Sequence, residues 1–164
     1  MPRDQRVGEV MTTDVLQFTP EEPVLEAIQL LVERDVDGGP VVDAEGRVVG
    51  MLSNADLILR ESELHPPTVL SLFGAYLEWP GSARRFEDDF SKALGSKVSE
   101  VMHAKAVTIG EDDTLERAAT VMHDKDVSRL PVVRDGRIVG IIGRNDILRS
   151  ILDDWAAGEP PGPG

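Results

Sequence analysis

Apolar residues at Val24, Ala27, Ile28 and Leu31 recur at three- and four-residue spacing, and the same spacing returns at Leu115, Ala118, Ala119 and Met122. This predicts two amphipathic helices, each burying one stripe. Pro23 suits the first helical position of one, and Asp113 followed by Glu116 predicts a capping box with Asp as the cap of the other. The helices should run to about Arg34 and Lys125. A short run with strand character precedes each, Val15 to Phe18 and Ala106 to Ile109. After each helix, "PVVDAEGRVVGML" and "PVVRDGRIVGII" pair Val/Ile-rich runs around Asp and Gly turn residues, which is a hairpin signal. A short last helix should open after Ser53 in the first half and after Gly143 in the second.

The two halves are copies. Setting Val7 to Arg60 against Val98 to Ser150, with Glu45 left out, makes fifteen of 53 aligned pairs identical. Identities gather at "EVM", Asp35-Val36 with Asp126-Val127, "PVV", Gly46-Arg47 with Gly136-Arg137, Val49-Gly50 with Val139-Gly140, and Asp56 with Asp146. Internal repetition dictates architecture. A βαββα unit of this size buries little core alone, whereas two packed together about a pseudo-twofold axis can. The expected fold is therefore α+β, with a first repeat over 1–60, a connecting insertion over 61–97, a second repeat over 98–152 and a Pro/Gly-rich tail over 153–164 expected to be disordered.

The insertion has no counterpart in either copy. "TVLSLFGAYLEW" sets Val69, Leu70, Phe73, Tyr76 and Leu77 on one helical face, and "SARRFEDDFSKALG" sets Phe86, Phe90, Ala93 and Leu94 on another, closed by Gly95. Two amphipathic helices are expected here. Five of the seven aromatic residues fall in this segment; they either pack on the protein's own sheet or dimer mate, the ordinary fate of an aromatic stripe, or form a partner-binding surface.

Composition narrows the chemistry. The chain of 164 residues is 41% hydrophobic and 29% charged, the balance of a folded globular protein. No apolar run reaches the length of a membrane span and the N-terminus lacks a secretory core, so the expected address is cytoplasmic, with no membrane contact. The absence of cysteine excludes disulfides, thiol catalysis and Cys-based metal sites. A formal net charge of −13 repels nucleic acid polymers and anionic lipid, but leaves room for a small phosphate ligand where a few arginines converge.

The stretch Gly50-Met51-Leu52-Ser53-Asn54-Ala55-Asp56 ends a strand with glycine and opens a helix. Capping alone accounts for Ser53 and Asp56. The same geometry also presents amides to a phosphate and places an Asp where it can accept hydrogen bonds from two ribose hydroxyls. The second copy keeps Asp146 but has Gly143 in place of the hydroxyl, so capping does not by itself explain why the Asp is the retained member.

The doubled "EVM…PVV…GRVVGxxSxxD" pattern resembles a tandem pair of CBS domains, or Bateman module, of stand-alone type, over residues 7–60 and 98 to about 152. The resemblance implies a regulatory module, a homodimer, an adenosyl ligand (AMP, ADP, ATP or S-adenosylmethionine) held between the repeats without any required cofactor, and an effector protein that reads the bound state. It places Asp56 and Asp146 on ribose and Ser53 on a ribose or phosphate oxygen. It places Arg129, two residues before "PVV", on phosphate, and Val15, Val36, Ala106 and Val127 against adenine. Asn54 and Arg144 follow the hydroxyl position in the two copies. The copies are unequal: one has Ser53 but Gly38 in place of a cation, the other has Arg129 and Arg144 but no hydroxyl. A single well-formed adenine-nucleotide site at Asp146, Arg129 and Arg144 is the expectation, with Asp56 weaker or empty. A dimerisation or scaffold unit with degenerate clefts is the competing reading, and a third keeps ligand binding but takes S-adenosylmethionine or another nucleoside.

Nothing in the sequence assembles into catalytic machinery. His65, His103 and His123 share no metal-ligand spacing, and the pairs Asp88-Asp89, Asp112-Asp113 and Asp153-Asp154 read as solvated charge. No serine lies in a nucleophile elbow. The chain is expected to be neither an enzyme nor a metalloprotein.

Overall fold

The computed structural model describes residues 4–57, 69–72, 75–78 and 96–158. Each repeat opens with a single helical turn, α1 (Val7–Val10) and α3 (Val98–Val101), which coincide with the repeated "EVM" stretches. The amphipathic helices follow as α2 (Val24–Arg34) and α4 (Leu115–Asp124). The hairpins are β1 (Gly38–Val42) with β2 (Val48–Ser53), and β6 (Arg129–Arg134) with β7 (Arg137–Gly143), both antiparallel. Residues 54–57 begin the last helix of the first repeat, and α5 (Arg144–Ala156) is its counterpart in the second.

The first strands are shorter than the sequence suggests. Of Val15 to Phe18 only Phe18 bridges a strand, in parallel with Val41, and of Ala106 to Ile109 only Ile109 is in a strand, β5 (Ile109–Gly110), parallel to β6. In the first repeat, Val15 and Leu16 instead line a cleft. The cap of α4 is Thr114, whose hydroxyl accepts from the Arg117 amide at 3.2 Å, while the Asp113 carboxylate accepts from the Gly110 amide at 2.9 Å. Pro23 lies just before α2, outside its first turn. Ala119 is exposed, so the buried stripe of α4 is Leu115, Ala118 and Met122. The last helix continues to Ala156, four residues into the stretch expected to be a tail; residues 159–164 lie outside the described residues.

The insertion departs most from expectation. Val69–Leu72 and Ala75–Glu78 form an antiparallel hairpin, β3 and β4, rather than a helix. Val, Leu and Tyr suit a strand as well as a helix, so a short apolar run does not decide between the two. The second expected helix, around Phe86 to Leu94, lies outside the described residues.

The two cores are interleaved. Val7 from the first repeat packs with Ile109, Leu115, Met122, Leu130, Val132 and Ile142 of the second. Val98 and Val101 from the second pack with Phe18, Val24, Leu31, Val41 and Leu52 of the first. Backbone bonds repeat the exchange. Thr12 and Ile141 bond reciprocally, each amide donating to the other carbonyl at 2.9 Å, as do Met51 and His103, also at 2.9 Å. This close contact explains the repeated Val-Gly pairs. A β-carbon on Gly140 would lie 2.5 Å from Met11 Sδ and 2.9 Å from the Thr12 carbonyl oxygen, and one on Gly50 2.6 Å from Met102 Sδ and 2.7 Å from the His103 carbonyl oxygen. Gly140→Ala is accordingly expected to destabilise the fold by about 1–3 kcal/mol through overpacking, measured as a lower urea midpoint at unchanged m-value.

Backbone conformation accounts for one further identity. Asp35 and Asp126 both hold left-handed backbone, at φ 50° and 51°, where the chain leaves an amphipathic helix. Asp tolerates this conformation better than most residues.

Candidate functional site

The crossing of the repeats opens a cleft of about 450 Å³. One wall comes from the first repeat, with Thr12, Asp14, Val15 and Leu16 ahead of the Phe18 bridge and Asp35 to Gly38 at the end of α2. The other comes from the second, with Ser128 and Arg129 opening β6, Ile141 in β7, and Gly143 to Asp146 at the start of α5. Thr12 and Ile141 meet at its base through their reciprocal backbone bonds. Each cleft wall is therefore supplied by a different repeat.

The structure thus gathers Val15, Val36, Arg129, Arg144 and Asp146 into one cavity, and Ser53, Asn54, Asp56, Ala106 and Val127 do not line it. By repeat equivalence those five residues belong to the opposite crossing, where the helix start after β2 faces the segment following α3. Val127 also packs against the second core, and its carbonyl accepts from Arg144 Nη2 at 3.3 Å. Asn54 lies beside Asp37, donating from its side chain to Asp37 Oδ1 at 3.5 Å and from its amide to the Asp37 carbonyl at 2.7 Å.

The two aspartates that follow the repeated glycines differ in what holds them. Asp146 accepts the Gly143 amide on Oδ2 at 2.7 Å, and its Oδ1 has no partner among the described residues. Asp56 accepts the Ser53 amide and hydroxyl on Oδ2, at 3.1 and 2.8 Å, and its Oδ1 lies 2.8 Å from His103 Nε2. The aligned residue in the open cleft is Thr12, which has no imidazole to donate such a bond. The carboxylate oxygen engaged by a histidine at one crossing therefore has no such partner at the other.

The helix start in the open cleft is less available than the sequence suggests. Besides the Gly143 amide, the Arg144 amide is engaged, by the Ser128 carbonyl at 3.1 Å. The cations facing the cleft are then the guanidinium groups of Arg129 and Arg144. Arg129 is tied across the repeats, with Nη2 2.8 Å from Asp37 Oδ2. Sequence reasoning missed Asp37, Asp14 and Thr12. Their only sequence signal was repeat equivalence, since they align with Ser128, Lys105 and His103, and their meaning depends on which repeat faces which.

Among the described residues, no group of three or more His, Asp or Glu is placed to hold a metal ion, and no helix is long and apolar enough to cross a membrane.

Comparison with known proteins places these features in context. The CBS domain family model matches residues 7–63 and 98–153. The CBS domain-containing protein CBSX1, chloroplastic, of Arabidopsis thaliana is 33% identical over 157 residues, spanning 93% of this chain and 66% of that protein. A crystal structure of Arabidopsis CBSX2 in complex with AMP superposes with a TM-score of 0.69 at 27% identity, covering 92% of this chain and 98% of that one. The CBS domain pair of protein MJ0100, solved with 5′-methylthioadenosine and S-adenosyl-L-methionine, shares the fold with a TM-score of 0.62 at 20% identity, covering 88% of this chain and 98% of that one.

Proposed function

Because this chain belongs to the CBS-domain family, matched over both of its repeats, we propose that it is a regulatory module that senses an adenine nucleotide in the cleft at Asp146. The observation that carries the reading is the Asp146 carboxylate, whose Oδ1 has no partner among the described residues, on a cavity that also presents Val15, Val36, Arg129 and Arg144. Such a carboxylate oxygen can accept ribose hydroxyls, half-buried valines can cover a base, and two guanidinium groups can meet a phosphate. The AMP complex of CBSX2 supports this choice of ligand class.

The Asp56 crossing is the lesser site. His103 already satisfies the carboxylate oxygen that a ribose would need, so a ligand there must displace an existing contact. His103→Thr recreates the residue of the open crossing, and calorimetric titration with AMP is expected to change from one bound nucleotide per chain to two. An unchanged stoichiometry would remove His103 as the cause of the difference.

Signalling follows from the position of the cleft. A ligand that touches Val15 and Val36 of one repeat and Asp146 of the other adds a link between two walls already joined by the Thr12–Ile141 bridge, the Arg129–Asp37 pair and the shared cores. It shifts the balance between two arrangements only if it binds one better, and a partner protein reads the result. The homodimer implied by the family has a surface to match: Leu148, Ile151, Leu152 and Trp155 are exposed at 57%, 40%, 66% and 65% and share one face of α5.

Thermal unfolding with AMP, ATP and S-adenosylmethionine tests the reading. A ligand at a hundred times its dissociation constant adds about 2.7 kcal/mol, which raises Tm by about 5–10 °C for a domain of this size. If none of the three shifts the transition at millimolar concentration, a scaffold role replaces the sensor.

A further inference from the structure

The carboxylates of the open cleft outnumber its cations. Asp14, Asp35, Asp37 and Asp146 line it with only Arg129 and Arg144 to offset them. Asp146 has a role in the proposed site, and Asp14 lies 3.9 Å from Arg34, outside the cavity lining. Asp37 is different: it is the partner of the very guanidinium that a phosphate would use, at 2.8 Å.

The internal repeat shows that the fold does not require this carboxylate. Asp37 aligns with Ser128, and the two residues do the same backbone work. The Asp37 carbonyl accepts the Asn54 amide at 2.7 Å, and the Ser128 carbonyl accepts the Arg144 amide at 3.1 Å. One position thus serves the fold equally well with a neutral side chain, and the charge at Asp37 is additional. Nor does the ion pair act as a strong tie, since the Asp37 side chain is 73% exposed and pairs so exposed contribute little to stability.

We propose that Asp37 is a specificity residue that sets the phosphate count of the ligand: by holding Arg129 and adding negative charge at the phosphate end of the cleft, it favours a nucleoside monophosphate over the di- and triphosphate. The inference rests on the adenosyl reading of the cleft. A single phosphate can share Arg129 with Asp37 and still meet Arg144. Each further phosphate adds negative charge near Asp37, the carboxylate beside the phosphate-facing Arg129, with no further cation among the cavity-lining residues, so repulsion grows with phosphate number. Adenosine, which carries no charge, is indifferent to the residue.

Titration calorimetry of the whole chain with adenosine, AMP and ATP at fixed ionic strength provides the test. The wild-type protein is expected to bind AMP more tightly than ATP. Asp37→Asn is expected to raise ATP affinity by about tenfold, to raise AMP affinity at least about threefold less than that, and to leave adenosine unchanged, as expected for removal of one nearby charge. Asp14→Asn removes the same charge without touching Arg129 and should leave the ATP to AMP ratio within about twofold of wild type. Nucleotide binding with an unaltered ratio in Asp37→Asn, or an equal change in Asp14→Asn, overturns the role of Asp37 alone. Failure of the wild-type chain to bind any of the three overturns the adenosyl reading as well.

Discussion

Replacing Asp146 with alanine is expected to weaken adenine-nucleotide binding by at least about a hundredfold, because the cleft loses an ionised acceptor able to take two hydroxyls at about 1.5–3 kcal/mol each. At a nucleotide concentration that raises the wild-type Tm by about 5–10 °C, the variant should show no increment. Asp146 also receives the Gly143 amide, so the variant loses about 1 kcal/mol of intrinsic stability through its helix start. The ligand-induced increment, measured against each protein's own unliganded transition, separates that loss from binding. Asp56→Ala, by contrast, should leave most of the increment, because that carboxylate is already engaged by Ser53 and His103. If Asp56→Ala removed the shift and Asp146→Ala preserved it, the assignment of the working cleft would be reversed.

Phe18→Ala is expected to produce the largest loss of stability, about 3–5 kcal/mol, as a fully buried aromatic is cut back to a methyl group. The more informative expectation concerns how the loss is distributed. Phe18 lies in the first repeat, yet its core includes Val98 and Val101 of the second, while Val7 completes the core of the second repeat. Both repeats should therefore unfold in one cooperative transition, in the variant as in the wild type, with Tm lowered by roughly 6–20 °C. Calorimetry combined with far-UV circular dichroism would reveal the contrary result, in which the first repeat melts separately and the second keeps its original midpoint.

Several features were legible in the sequence because they depend on local chemistry or on repetition. The period of Val24, Ala27 and Leu31 identifies α2 because a helix presents every third or fourth residue to the same side. The paired Val/Ile runs around Gly46 and Gly136 identify the hairpins, since each turn holds a glycine at positive φ, 80° and 78°. The insertion shows the limit of such reasoning. Val69 to Glu78 suits a helix and a hairpin comparably, and the pattern alone did not select the hairpin that forms.

The site divides along the same line. Sequence alone determined that the chain is a duplicated α+β module and that Asp146, Arg129 and Arg144 lie at equivalent, chemically distinct positions of the second copy. It also showed that the two copies differ at these positions, with Ser53 and Gly38 in one against Gly143 and Arg129 in the other. Only the tertiary structure decided which residues share a cleft, because the crossing of the repeats joins Val15 and Val36 of one to Asp146 of the other. It also decided that His103 satisfies Asp56 and that Asp37 holds Arg129. These contacts join residues separated by 47 and 92 positions in the chain. No local periodicity encodes such distances; they are fixed when two half-cores, each too small to stand alone, bury their apolar surface against one another.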